Sequence, residues 1–427
     1  NYQGITNLFT AKDEIFFIKM KILYLHQYFS TPAMSSGTRS FEMARRLVRK
    51  GHKVYVLSSN HARTHNEQSG FSKEKGIHVW WLPVKYSNNM SYPRRMAAFF
   101  AYCCLAYIQG RRLPYDLVFA TSTPLTVAIP GILLAKLKKS PFVLEIRDLW
   151  PAIPVALNVL QNPLIIKMAR LLEKYAYFSA KKIIALSTGM KSGILASGAD
   201  GLKVSVIPNG SDLDLFNVHS KLGEDFRNHF TWMSPHNPLV VYTGAIGLVN
   251  GLSYMVYMAR TMLKLNPKVQ FCLVGDGREK ELINDLAVKS NVLNKNFFIL
   301  PLMNKRNLAK LLSVSDITTS FVINKKILWY NSANKFFDGL AAGKPILINY
   351  GGWQAKLLEQ YKAGIVVPPD DPDVAAEQLN NFLNDKDRLQ CAGAAALRLA
   401  ETKFNCDNLY QSFEQVLRGA ANSRTRN

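Results

Sequence analysis

Short runs of apolar, β-favouring residues alternate with longer segments of helical periodicity along most of this chain. That alternation admits few architectures other than parallel α/β sheets. Residues 22–26 read as a first strand, and the loop Ser30-Thr31-Pro32-Ala33-Met34-Ser35-Ser36-Gly37 opens a helix over 38–50. On it Phe41, Ala44, Leu47 and Val48 recur at helical spacing. Gly51 stops that helix and 54–57 is the next strand, so the segment is one crossover unit of a parallel sheet. Further strands are expected at 77–82, 117–120, 142–146, 182–186 and 204–207.

The turn cluster Pro208-Asn209-Gly210-Ser211-Asp212, and the polar stretch after it, interrupt the pattern. It then resumes with strands at 239–242, 269–274, 297–300, 317–319, 346–348 and 365–367, interleaved with helices that include 252–265, 308–313 and 336–342. A chain of 427 residues exceeds one ordinary hydrophobic core. The spacing therefore predicts a first α/β domain over 20–212, a second over 213–404, and a terminal helix and polar tail over 405–427. Residues 1–19 read as an extension ahead of the strand that begins after Met20. Open parallel sheets bind ligands beyond the carboxyl ends of their strands, so two such sheets facing one cleft can hold two substrates.

The charge excludes some partners and favours others. A formal +23 calls for a polyanion or an anionic surface. No RNA-recognition aromatic pair, zinc-finger spacing or base-reading basic helix is present, so nucleic acid is not expected. Arg94 and Arg95 precede the apolar run 96–108 and Arg111-Arg112 follow it. Thirteen residues are too few to span a bilayer. This segment reads either as a helix lying at the headgroup level or as a core helix with basic ends. Five cysteines show no metal or CxxC spacing, which favours reduced thiols and a cytoplasmic setting. His61 and His65, four apart, read as loop residues, and neither an H-E-x-x-H nor an H-x-H pattern occurs, so no protein-bound metal is expected.

Several strand ends carry candidate chemistry. Gly37, Thr38 and Arg39 stand where strand one meets helix one, and small residues there allow an anion close; Arg39 either reaches a phosphate or lies outside on the helix. The run Glu145-Ile146-Arg147-Asp148-Leu149-Trp150-Pro151 puts three charges at the tip of a buried strand, which is costly unless they pair or face a ligand. Asp148 can accept a proton or orient a hydroxyl, and Arg147 can face the same substrate. His26 is either a core or a cleft residue. In the second half, Val274-Gly275-Asp276-Gly277 is a strand followed by a glycine turn, with Arg278 beyond it, and the strand end at Phe298 offers backbone groups to a planar base. The segment Asn334-Lys335-Phe336-Phe337-Asp338 opens a helix whose first amides, with Lys335, suit a diphosphate, and Asp338 one turn on suits ribose hydroxyls. Diphosphate and hydroxyl groups together describe a nucleotide sugar.

These motifs, in this order from about residue 20 to 415, resemble the retaining GT-B glycosyltransferases of family 4. The stretches 145–151, 243–247 and 334–338 are most similar to a subgroup of surface-polysaccharide enzymes that includes the O-antigen N-acetyl-L-fucosaminyltransferase. The resemblance implies two Rossmann-like domains facing a cleft. It also implies a UDP-sugar co-substrate in the second domain, held by Gly244, Gly247, Gly275, Asp276, Arg278, Phe298, Asn334, Lys335 and Asp338. The acceptor would be a polyprenyl-diphosphate-linked saccharide on the first domain, near Gly37, Thr38, Arg39 and Arg147, with Asp148, Arg147 and Lys335 in the catalytic roles. Such enzymes use no protein-bound metal and work on the anionic inner face of the cytoplasmic membrane. The family's first acidic position falls on Tyr330, and its usual Arg and Lys fall on Ala245 and Asn250, so another cation must face the leaving diphosphate. A nucleotide-sugar 2-epimerase shares the architecture, and a non-enzymatic polyanion-binding protein shares the charge.

Overall fold

The computed structural model describes residues 19–34, 37–60, 69–87 and 90–422; the expected 1–19 extension, apart from Lys19, and Ser35, Ser36, His61 and His65 lie outside these. Two sheets organise the chain, as the alternation predicts. The first has eight strands in the order β3-β4-β2-β1-β5-β6-β7-β8. They are β1 (Lys21–Leu25), β2 (Lys53–Ser59), β3 (Gly70–Glu74), β4 (Ile77–Leu82), β5 (Leu117–Thr121), β6 (Phe142–Ile146), β7 (Lys182–Ala185) and β8 (Val204–Val206). Each adjacent pair is parallel except β3 with β4. The second sheet is wholly parallel, in the order β11-β10-β9-β12-β13-β14. Its strands are β9 (Leu239–Ala245), β10 (Gln270–Asp276), β11 (Phe297–Leu300), β12 (Ile317–Ser320), β13 (Ile346–Ile348) and β14 (Gly364–Val366).

The β3–β4 hairpin escapes sequence inspection because β3 is mostly polar. Lys75 and Gly76, at φ of 49° and 87°, close it in the two-residue turn geometry that suits a twisted hairpin. The strand then covers the sheet edge with alternately exposed residues, Lys73 among them, and such an edge resists pairing with another chain.

At the centre of the first domain lies a buried ion pair. The Arg39 guanidinium donates to Glu145 Oε1 at 2.8 Å and 3.0 Å, and also to the carbonyls of Ile207 and Pro208. Thr121 Oγ1 donates to the other carboxylate oxygen at 2.6 Å. Burial works against the Glu145 charge, but Arg39, Arg147 and Thr121 together hold its carboxyl below the ordinary range. This pair ties the first helix (Arg39–Arg49) to the tip of β6 and to the chain leaving the domain.

The chain crosses at 207–212 into the second domain and returns at 404–406, where Ser211 and Asn405 form a parallel bridge. The terminal helix Cys406–Asn422 then packs on the first domain. Its Tyr410, Phe413 and Leu417 join the core of Ile22, Tyr24 and Phe119, with the Phe413 ring edge-on to Phe119 at 5.1 Å. Arg46 to Asp407 at 2.6 Å and His52 to Glu414 at 2.9 Å fasten the same contact.

The helix Tyr92–Gly110 covers the 96–108 run. Tyr102, Cys103 and Ala106 are buried, while Phe100 and Ile108 point outward. One face of the helix therefore packs on the core while the other, with basic residues at both ends, is exposed. Among the described residues no helix is long and apolar enough to cross a membrane.

Removing one member of a buried charge pair strands the other in low dielectric. Glu145→Ala should lower the unfolding free energy by about 3–5 kcal/mol, measured by urea denaturation. A change below about 1 kcal/mol would show that Arg39 finds water instead.

Candidate functional site

The carboxyl ends of both sheets open on one cavity of about 1110 Å³, adjoined by a second of about 350 Å³. The two domains meet at its floor. An added Cβ on Gly37 would lie 2.4 Å from Asn334 Nδ2, so glycine lets the first domain approach the start of the Asn334–Ala341 helix without displacing that side chain. That helix begins after Ala333 with no side-chain cap, leaving its first amides directed toward the cleft.

Lys335 is the centre of the second-domain half. Its Nζ donates to Tyr242 Oη at 2.7 Å and to Asn250 Oδ1 at 3.1 Å, and lies 4.2 Å from the Tyr242 ring centroid. The Tyr242 hydroxyl and the Asn250 amide both donate onward to the Ala245 carbonyl, at 2.9 Å and 3.0 Å. Gly244, at φ of 134°, is the glycine over which the lysine passes; a Cβ there would stand 3.5 Å from Nζ. All direct hydrogen-bond partners are neutral. Desolvation in the cleft therefore pushes the ammonium down to about 7, with Asp338 pulling weakly the other way. An amine in that state is poised to take up a proton when an anion arrives.

One turn further on, the Asp338 carboxylate is buried and forms an ion pair with Lys305, and both line the cavity. Lys305 escaped the sequence reading. It is the first residue of the helix Lys305–Ser313, capped by the Asn304 side chain, which accepts from the Asn307 amide at 3.0 Å. A lysine at the positive end of a helix is unfavourable by itself, and that misplacement after a strand end was the available signal.

From the first domain, Asp148 opens onto the larger cavity and Arg147 onto the smaller. Asp148 itself is exposed at the cleft, and the walls around it raise its carboxyl toward about 6, against the pull of Arg147. The Arg147 amide donates to Ser122 Oγ at 3.0 Å, and its Nη1 stands 3.5 Å from His26 Nε2. His26 is buried and still reaches the cleft, so both of its sequence alternatives describe it. The wall beyond Asp148 is apolar: Met96, Phe99, Trp150, Ile153 and Val159 line it.

Several expected residues do not reach the cavity. Arg39 spends its donors on Glu145 and two carbonyls, and Thr38 is buried at the start of the same helix, so the acceptor side is left to Gly37 and Arg147. Phe298 stacks on Trp232 with ring centroids 3.8 Å apart, which makes it a packing residue; Leu302 and Met303 beyond its strand line the cavity instead. Gly275 pairs with Gly244 across the sheet, where a Cβ would meet the Gly244 carbonyl oxygen at 1.9 Å, so it permits the turn without facing the ligand. Gly247 and Arg278 stay off the cavity lining, whereas Gly244, Asp276, Asn334, Lys335 and Asp338 are on it. Tyr330 lines the cavity as well and rests on Gly189 of the first domain. Among the described residues no group of three or more His, Cys, Asp or Glu side chains is placed to hold a metal ion.

Comparison with known proteins follows the same division. Residues 36–210 match the model of the glycosyl transferase 4-like domain, and residues 229–398 that of the glycosyl transferases group 1. The spore coat protein SA of Bacillus subtilis is 20% identical over 188 residues, which is 42% of this chain and 48% of that protein, so the match spans about half of its length. Sucrose-phosphate synthase from Thermosynechococcus elongatus superposes with a TM-score of 0.75 at 15% identity, covering 93% of this chain and 98% of the other. The Anabaena HepE protein, solved with UDP-glucose, gives 0.70 at 16% identity, covering 94% and 100%. These superpositions establish the two-domain GT-B fold.

The depressed Lys335 ammonium has a consequence for the free protein. Its charged form is disfavoured in the fold but not in the unfolded chain, where the ordinary value is 10.5. Between about 7 and 10.5 the unfolded state binds more protons, so this group adds stability as pH rises through that window. Lys335→Met should therefore raise the melting temperature at pH 6.5 and lose that advantage by pH 10. Equal shifts at both pH values would contradict the depressed amine.

Proposed function

The two halves of this chain belong to the glycosyl transferase 4-like and glycosyl transferases group 1 families, and from that premise we propose a retaining glycosyltransferase. It moves a sugar from a UDP-sugar to a lipid-linked saccharide at an anionic membrane surface. One observation carries it: Lys335, Lys305 and Asp338 from one domain face Arg147 and Asp148 from the other across a single cleft closed at Gly37 and Asn334. The diphosphate would take the uncapped amides at 334–335 and the Lys335 ammonium, and Asp338 would turn from Lys305 to the ribose hydroxyls. Lys335 then supplies the positive charge at the point where Ala245 and Asn250 carry none. UDP as the nucleotide is supported by the Anabaena protein solved with UDP-glucose.

The acceptor hydroxyl would approach from the Asp148 side. Its oxygen bonds to the anomeric carbon on the face that the diphosphate leaves, the carbon–phosphate-oxygen bond breaks, and the hydroxyl proton passes to a departing phosphate oxygen or to Asp148. The apolar wall of Met96, Phe99, Trp150, Ile153 and Val159 suits the chain of a polyprenyl-diphosphate acceptor. N-acetyl-L-fucosamine or a related N-acetylated deoxyhexose as the transferred sugar rests on the motif resemblance at 145–151, 243–247 and 334–338.

Nucleotide release from UDP- and GDP-sugars, with and without a bacterial lipid extract, tests the proposal. UDP should appear only with both donor and lipid acceptor; conversion of the donor without acceptor would indicate an epimerase instead. Asp148→Asn should lower turnover by about 10²–10⁴-fold with donor affinity retained. Asp338→Ala should weaken donor binding about tenfold or more by calorimetry. In the free enzyme the required forms are ionised Asp148 and protonated Lys335, whose midpoints are about 6 and about 7. The kcat/KM profile should therefore be a narrow bell between those limbs. A kcat/KM that stays flat to pH 9 would remove Lys335 from the charge-stabilising role.

A further inference from the structure

The helix Pro163–Ser179 is built inside out. Its buried residues are Ala169, Glu173, Ala176 and Tyr177, with Tyr177 Oη donating to Glu173 at 3.1 Å. Its large apolar side chains point outward: Leu164 is 66% exposed, Met168 61%, Leu171 58%, Tyr175 47% and Phe178 79%. A surface helix ordinarily turns its apolar stripe to the core and its polar one to water. Here the stripe recurs every three or four residues on the outer face. The neighbouring helix Ala128–Leu137 extends it with exposed Leu133 and Leu137. Lys136 links the two helices by donating to the Tyr175 hydroxyl at 2.7 Å.

We infer that this face docks on an anionic lipid bilayer. The charge around it decides the occupant. Lys136, Lys139, Lys167, Arg170, Lys174 and Lys181 are exposed on or beside the stripe, and the acidic residue of the helix, Glu173, is turned inward. A second copy packed on the same face would set Lys167 and Lys174 against their own kind, so self-association is disfavoured by the charges that a phospholipid headgroup layer would satisfy. Leucine, methionine and phenylalanine can enter the acyl boundary while lysine and arginine stems carry their charges back to the headgroups. The surface also has a route to the cleft. The segment between β6 and this helix supplies Trp150, Ile153, Pro154 and Val159 to the cavity wall, and Val159 is itself 52% exposed. A bilayer held against the helix would thus lie beside the apolar entrance. This places the membrane contact on Pro163–Ser179, not on the 96–108 run, and deepens the lipid-acceptor function proposed above, on which it rests for its purpose.

Flotation of the full chain with vesicles tests the inference. Wild type should float with vesicles of equal parts phosphatidylglycerol and phosphatidylcholine and should bind phosphatidylcholine alone about tenfold or more weakly at low salt. Met168→Glu with Leu171→Glu should weaken binding to the mixed vesicles about tenfold or more. Because both side chains face water, the double variant should keep the wild-type melting temperature and UDP affinity. Phe100→Glu with Ile108→Glu should leave flotation unchanged. Equal binding to both vesicle types, undiminished flotation of the Met168/Leu171 variant, or a wild-type dimer that this variant dissolves without any effect on flotation would overturn the proposal. UDP binding measured without vesicles reads the catalytic proposal separately, so either can fail alone.

Discussion

The site depends on an ammonium with no carboxylate of its own. Lys335 enters the cleft over Gly244 and is received by a phenol, an amide and a ring face, all of them neutral. A full ion pair at this point would hold the charge firmly and offer little to a ligand. Neutral partners orient the amine and leave most of its electrostatic demand unmet. The nearest carboxylate, Asp338, is itself engaged by Lys305. Around the start of the Asn334–Ala341 helix two lysines therefore stand against the Asp338 carboxylate, while Asp276, also on the lining, is paired with Lys280; the anion this arrangement suits best is a diphosphate. The turn geometry is tight beside it: a Cβ on Gly275 would strike the Gly244 carbonyl oxygen on the adjacent strand, and one on Gly244 would crowd the Lys335 side chain.

On the opposite wall the logic is reversed. Glu145 and Arg39 neutralise one another deep in the first domain, and this frees their neighbours in sequence, Arg147 and Asp148, to face the cleft. Three charges at one strand tip thus divide into a structural member and two that line the cleft. Arg39 also holds the carbonyls of Ile207 and Pro208 where the crossover at 207–212 begins, and the returning segment lies beside that crossover at Asn405. The first helix, the strand tip and the crossover are therefore held by one guanidinium.

The fold was legible because its evidence is repetitive. Apolar strands, helix-stopping glycines and capping residues recur often enough that no single one matters. The β3–β4 hairpin was hidden because an edge strand need bury little, and its sequence is accordingly polar. Asn334, Lys335 and Asp338 could be found from the sequence because a loop entering a helix constrains where its first residues point. Lys305 was marked only by its unfavourable place at a helix start; its relevance lies in a carboxylate 33 residues away that only tertiary structure brings near. Arg39 was misread for a related reason: charge near a strand end does not reveal whether a side chain turns to the cleft or to the core. At Phe298 the strand end suggested backbone groups for a base, but the chain reaches the cavity only at Leu302 and Met303. The helix Pro163–Ser179 is the extreme case. Its inner face is made of alanines and a Glu–Tyr pair, so hydrophobicity alone would assign its faces the wrong way round.

The claim on which the account turns is that a nucleotide diphosphate charges Lys335. Titrating UDP into the full chain at pH 8, in two buffers of different protonation enthalpy, measures the protons exchanged on binding. Binding should take up about one proton, and Lys335→Gln should abolish that uptake. UDP binding with no proton uptake, or uptake that persists in the variant, would contradict it.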